Sequence, residues 1–147
     1  MDERYRLIDV SACDTGNGRL AMFQPGANGN IPFAIKKVLV ISGMKPTDMR
    51  GQHAHHATRE VIVPVSGGCS IDLDDGRRTY TVRLSAGGQA LFLPAQYWRT
   101  LHSFQENTAL VIIADQEYDE RDYIRDYQDF LGVLTGSSPA SGQAPNP

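Results

Sequence analysis

The sequence predicts an all-β, antiparallel sandwich or barrel with a single α-helix at its C-terminal end. Three observations carry that reading. About ten short runs rich in β-branched and aromatic residues are separated by Gly- and Asp-rich turns. One of those turns, Asp74-Asp75-Gly76, lies between two clear strand patterns, and Asp-Gly tolerates the positive φ angles of a tight hairpin. From residue 119 the period changes: Tyr123, Ile124, Tyr127, Phe130, Leu131 and Leu134 fall on one face of a helix.

In chain order, Tyr5 to Val10 reads as the first strand and Arg19 to Gln24 as the second, with the turn-forming 14–18 stretch between them. Phe33 to Ser42 is a longer β-branched run, followed by a loop over 43–51 that holds Lys45, Pro46 and Arg50. Arg59 to Val65 is strongly β-prone and ends at Ser66-Gly67-Gly68. Cys69 to Leu73 and Arg78 to Leu84 form the Asp-Gly hairpin. Gln89 to Leu93 is stopped by Pro94, and Trp98 to Phe104 and Thr108 to Ala114 complete the strands. Asp119 is the expected N-cap of the helix, with Glu120 and Asp122 in a first turn that favours negative charge. Residues 1–135 make one domain. Residues 136–147, rich in Gly, Ser, Pro and Asn, have almost nothing to bury and are expected to be disordered.

With 147 residues the chain is long enough to build a hydrophobic core without disulfides or a structural metal. Fourteen Lys and Arg against 17 Asp and Glu, with no run of one sign, argue against a nucleic-acid or polyanion binder. Two cysteines, Cys13 and Cys69, lack CxxC spacing and the density of a secreted disulfide framework, which favours a reducing, cytoplasmic setting. The N-terminus lacks the apolar core of a signal peptide, and no apolar run reaches the ~20 residues that cross a bilayer.

Chemistry concentrates at Arg50 to Gly67, where His53, His55 and His56 occupy three of four consecutive positions and Glu60 follows. On a strand, His53 and His55 share one face and His56 takes the other. Two imidazoles side by side serve either proton transfer or metal binding. The pattern His53-x-His55, four residues, Glu60, six residues, Gly67 resembles the first motif of the cupin superfamily, and Gly88 with Pro94 matches the opening of the second. That resemblance implies a double-stranded β-helix, the jelly-roll barrel. At the position of the fourth cupin metal ligand this chain has Arg99, a cation that opposes a divalent metal.

A closer resemblance runs through Ile31-Pro-Phe-Ala-Ile-Lys-Lys-Val38, Arg50-Gly-Gln-His-Ala-His55, Leu73-Asp-Asp-Gly76 and Tyr118-Asp-Glu-Arg-Asp-Tyr-Ile-Arg-Asp-Tyr127. In that order these segments resemble the sugar 3,4-ketoisomerases acting on dTDP-4-keto-6-deoxyglucose. The resemblance implies an isomerase that moves a keto group between C4 and C3 of a nucleotide-linked 4-keto-6-deoxyhexose, with no cofactor or metal. It also implies a homodimer that exchanges N-terminal strands, with His53 and His55 as the acid–base pair. Where such enzymes usually carry two tyrosines after the Ile-Lys-Arg-Val segment, this chain has Leu39 and Val40.

Around the pair, Arg50 and Lys37 are candidates for binding diphosphate. Trp98 is a candidate for stacking on the base, Arg99 for stabilising an enediolate, and Glu60 for fixing a histidine tautomer. His102 stands between a pocket residue and a satisfied core histidine. A cupin that binds a nucleotide sugar without turning it over, and a metal-dependent cupin using His53, His55 and Glu60, are the alternatives.

Overall fold

The computed structural model describes residues 3–136. Its strands are β1 (Arg6–Ile8), β2 (Ser11–Asp14), β3 (Arg19–Met22), β4 (Lys37–Ser42), β5 (Arg50–His55), β6 (Glu60–Ser66), β7 (Gly68–Asp74), β8 (Thr79–Ser85), β9 (Ala90–Leu93), β10 (Trp98–His102), β11 (Ala109–Ala114) and β12 (Tyr123–Ile124), followed by the helix α1 (Tyr127–Thr135). They form two five-stranded antiparallel sheets, ordered β1-β9-β6-β11-β4 and β12-β5-β10-β7-β8, with β2 and β3 as a separate hairpin. This is the jelly-roll barrel that the motifs imply.

Alternation sorts the side chains. Between the sheets lies the main core, with Ile62, Ile71, Leu73, Leu84, Leu91, Leu93, Leu101 and Leu110 buried. On the outer face of the first sheet, Phe33 and Ile31 from the segment before β4 cover Val61, Val63 and Phe92. The outer face of the second sheet is capped by α1, whose Phe130 is fully buried beside Trp98, with ring centroids 5.9 Å apart. Pro64 sits inside the central strand β6, where a missing N–H would normally break a ladder. The register there shifts between Ala109 and Leu110, so the irregularity falls at the proline.

The structure corrects the expected helix. It starts at Tyr127, with the Asp126 side chain accepting the Asp129 N–H, and not at Asp119. Asp119 instead caps a short 3₁₀ turn, Glu120–Asp122, and Tyr123–Ile124 then pair with His55 and Ala54 as β12. Tyr123 and Ile124 satisfy the helical stripe and the strand equally well; pairing with β5 decides between them. Likewise Phe33 to Lys36 forms a crossing segment and not the start of β4, because Phe33 is buried on the outside of the sheet. The helix ends at Gly136 in the left-handed region, φ +71°; the rest of the tail expected to be disordered lies outside the described residues.

Phe130→Ala removes the side chain that seats α1 on the sheet. It is expected to cost about 3–5 kcal/mol of stability, read as a lower midpoint in urea denaturation.

Candidate active site

Strand β5 carries the two histidines, but it is not a regular strand. Arg99 of β10 pairs with His53 and the next residue, Thr100, pairs with Gly51, so Gln52 is an extra, bulged residue. Gly51 and Gln52 both have positive φ, +83° and +53°. Only glycine adopts such a conformation freely, and a Cβ at position 51 would sit 2.9 Å from the Arg99 carbonyl oxygen. The bulge turns the Gly51 carbonyl toward the His53 ring, which donates to it from Nδ1–H at 3.1 Å. That hydrogen bond fixes the tautomer and leaves Nε2 with the lone pair.

His53 faces a cavity of about 450 Å³ lined by residues of both sheets. Leu39, Ile41, Ile62, Leu101 and Ile112 make its apolar wall; Glu60, Arg99 and Tyr123 stand with His53, and Arg50 and Arg125 also line it. Loss of hydration, then the Arg99 charge, depress His53 from 6.5 to about 4, so the ring is neutral at physiological pH. A larger hollow of about 800 Å³ lies elsewhere, against Tyr5, Tyr80 and Tyr97, and includes none of His53, Glu60 and Arg99.

His55 has a different environment. It is 1% exposed and lies behind the cavity wall, its ring 4.9 Å from that of His53. Its Nδ1–H donates to Asp122 Oδ2 at 2.9 Å, and Nε2 is 3.4 Å from Glu60 Oε1. Asp122 is held in turn by the Ala57 N–H at 2.8 Å, the Thr58 N–H and the Thr58 hydroxyl. The loop between β5 and β6 therefore clamps the carboxylate that clamps His55.

Glu60 and Arg99 form a buried ion pair, Nη1 to Oε2 at 2.5 Å, and two further nitrogens of Arg99 point at the Tyr97 carbonyl oxygen. Burial by itself would raise the Glu60 pKa; Arg99 and then His55 override it and hold the carboxyl down at about 2. With Glu60 engaged by Arg99, the trio His53, His55 and Glu60 is not laid out as ligands. Among the described residues no group of three or more His, Cys, Asp or Glu is arranged to hold a metal ion.

Of the residues singled out from sequence, His53, Glu60, Arg99 and Arg50 meet at this cavity, with His55 directly behind it. Lys37 does not line it; its ammonium lies 5.7 Å from the Tyr118 ring centre. Trp98 and His102 are not brought to it. Arg99 and Leu101 point inward on β10, so their neighbours point outward: Trp98 packs on Tyr127 and Phe130, and His102 lies 3.0 Å from Asp72 on the outer face. Asp122, Tyr123 and Arg125 belong to the site and were not identified as such from sequence. Their one signal was the Tyr118–Tyr127 segment that carries part of the resemblance, while Tyr123 itself was counted in the helical stripe.

Comparison with known proteins agrees with this architecture. Residues 3–135 match the family described as FdtA: WxcM-like, C-terminal. The TDP-4-oxo-6-deoxy-alpha-D-glucose-3,4-oxoisomerase of Aneurinibacillus thermoaerophilus is 37% identical over 103 residues, 70% of this chain and 74% of that one. A 3,4-ketoisomerase from Helicobacter canadensis superposes with a TM-score of 0.84 at 32% identity, covering 89% of this chain and 97% of its own. The 3,4-ketoisomerase QdtA from Thermoanaerobacterium thermosaccharolyticum, solved as a mutant in complex with TDP-4-keto-6-deoxyglucose, gives 0.85 at 26% identity, covering 92% and 97%.

Glu60→Gln leaves Arg99 buried without its counter-charge and is expected to cost about 3–5 kcal/mol near neutral pH. Because the Glu60 pKa is depressed on folding, the wild type loses this stability as pH falls from 4.5 toward about 2. The variant lacks that slope. Between pH 6.5 and about 4, where only the unfolded chain protonates His53, both proteins lose stability in parallel. Urea melts across this range check both statements.

Proposed function

The chain belongs to the FdtA, WxcM-like C-terminal family, and on that premise we propose that it is a sugar-nucleotide 3,4-ketoisomerase. Its substrate is a TDP-linked 4-keto-6-deoxyhexose, and the reaction moves the carbonyl from C4 to C3 through an enediol. The observation that carries the reading is His53: a neutral imidazole at the cavity, its Nδ1 occupied by the Gly51 carbonyl and its Nε2 available to take a proton.

A C–H next to a ketone is a weak acid, so its removal requires a placed base and a stabilised oxyanion. His53 is the base that takes the C3 proton and returns it at C4. His55, held by Asp122 and next to Glu60, is the partner that fixes the neighbouring ring and charges. Arg99 sets a permanent positive charge beside the developing enediolate. Arg50 and Arg125 at the cavity suit the diphosphate, and Leu39, Ile41 and Ile112 suit a sugar edge that ends in a methyl group.

We also propose that the working form is a homodimer built by exchange of N-terminal strands. The β2–β3 hairpin supports this: all four residues of β3 are exposed, including Leu20 and Met22, and an isolated hairpin is marginal in water. The partner is a second copy, whose exchanged strand carries the hairpin onto an apolar surface. The two cysteines are free, one exposed and one buried, which suits a reducing, cytoplasmic setting.

Incubation with TDP-4-keto-6-deoxyglucose in D2O, followed by NMR, is expected to show the 3-keto product with deuterium in the ring. His53→Asn should lower kcat by about 10²–10⁴ while the melting-temperature rise with TDP persists. The acid limb of wild-type kcat/KM should fall near pH 4, because the base is lost as pH drops through the His53 value. TDP binding without conversion would make the chain a binder and defeat the proposal. Light scattering of the full chain should give twice the mass of one chain; a monomer at micromolar concentration rules out the exchanged dimer.

A further inference from the structure

The hollow of about 800 Å³ takes no part in the chemistry assigned to His53, yet its volume is that of a small-molecule site. Four segments build it: residues 3–5 ahead of β1, the loop 56–59 after β5, the β7–β8 turn and the loop 94–97 after β9. Tyr97 is buried in its wall, and Tyr5 packs beside it, with ring centres 5.9 Å from Tyr97 and 5.3 Å from Tyr80. Around them stand the exposed Arg4, His56, Arg77 and Gln96. Exchange of N-terminal strands with a second copy leaves this lining unchanged, because the exchanged segment is identical.

The polar groups of the hollow divide into engaged and free. Glu3 lies 3.8 Å from Arg59, which also binds Asp115 at 2.7 Å. Asp75 accepts the backbone N–H groups of Arg77 and Arg78, both at 2.8 Å, and the Tyr80 hydroxyl. By contrast, the guanidinium groups of Arg4 and Arg77 and the side chains of His56 and Gln96 make no hydrogen bond or ion pair with any described residue. Gln96 is also strained. Its φ is +63°, a region that a residue with a Cβ enters at a cost and that recurs at ligand clamps.

We propose that this hollow is a second binding site and that its ligand is a nucleoside monophosphate. Two unpaired guanidinium groups match a phosphate dianion, and the tyrosine wall matches a flat base. The Gln96 amide, at once donor and acceptor, matches a base edge. The site stands back to back with that of His53. Tyr97 lines the hollow with its ring while its carbonyl oxygen faces Arg99; the Gln96 N–H donates to the His55 carbonyl at 2.9 Å, and the Ala57 N–H to Asp122 at 2.8 Å. A ligand held here bears on the same backbone that holds Arg99 and His55. The assignment holds whatever reaction the cavity of His53 performs.

Thymidine monophosphate titrated into the isotope-labelled full chain is expected to shift the backbone amide signals of Ala57 and Gln96 in NMR spectra, saturating at one ligand per chain in this region. A variant carrying both Arg4→Ala and Arg77→Ala should weaken that response about ten- to hundredfold. Both arginines are exposed, so the variant keeps the fold, read as an unchanged melting temperature. Gly51 and Leu101, which line the cavity of His53, report separately on a nucleotide bound there, and their midpoint should be the same in both proteins. Shifts at Gly51 and Leu101 alone overturn the proposal, as does a response at Ala57 and Gln96 that the double variant keeps at full strength. Inorganic phosphate is the control: the same shifts at the same concentration would mark an adventitious ion only and overturn the nucleotide assignment.

Discussion

Arg99 and Glu60 place a guanidinium and a carboxylate, 2% and 4% exposed, between two sheets of aliphatic side chains. Removing either ion from water costs several kcal/mol, so each is tolerable there only because of the other. Arg99 stands opposite His53 on the neighbouring strand, and Glu60 begins the strand that follows the histidines. One pair thus fixes the ends of two strands and the local field: its positive member adds to burial in holding the His53 ring neutral, and its negative member reaches His55. In a cupin barrel with a metal, a cation would supply that field. Here an arginine supplies it permanently.

The two histidines show how little adjacency says about role. They share a face and touch, yet one is set at a cavity and the other is locked into a chain of carboxylates. The difference comes from backbone geometry. A bulge with two consecutive left-handed residues rotates one carbonyl onto His53, whereas the regular pairing of His55 with Tyr123 delivers its neighbour Asp122 to the other ring.

Much of this was legible in the residues. The Asp-Gly hairpin, the β-prone runs and the His-x-His spacing are local signals, and each reports a local structure. Arg99 was recognisable as the residue in a ligand's place. What the sequence hid is what depends on tertiary partners. Tyr123 and Ile124 fit a helix as well as a strand, and only β5, 67 residues away at the His55–Asp122 contact, distinguishes them. The wrong face of Trp98 and His102 follows from parity: with Arg99 and Leu101 inside, Trp98, Thr100 and His102 face out, a constraint visible only once the strand is known to be regular there.

The bulge at Gln52 also bears on how this barrel tolerates change in length. In a strand that already accommodates one surplus residue, losing that residue would restore an unbroken ladder. The result would be a more regular sheet in which His53 no longer has the Gly51 carbonyl at its Nδ1. On the role proposed for His53, sheet regularity and proton-transfer geometry pull in opposite directions in this part of the fold. A sequence optimised for the barrel alone would lose the hydrogen bond between Gly51 and His53, and the two left-handed residues mark a departure from the simplest way of pairing two strands.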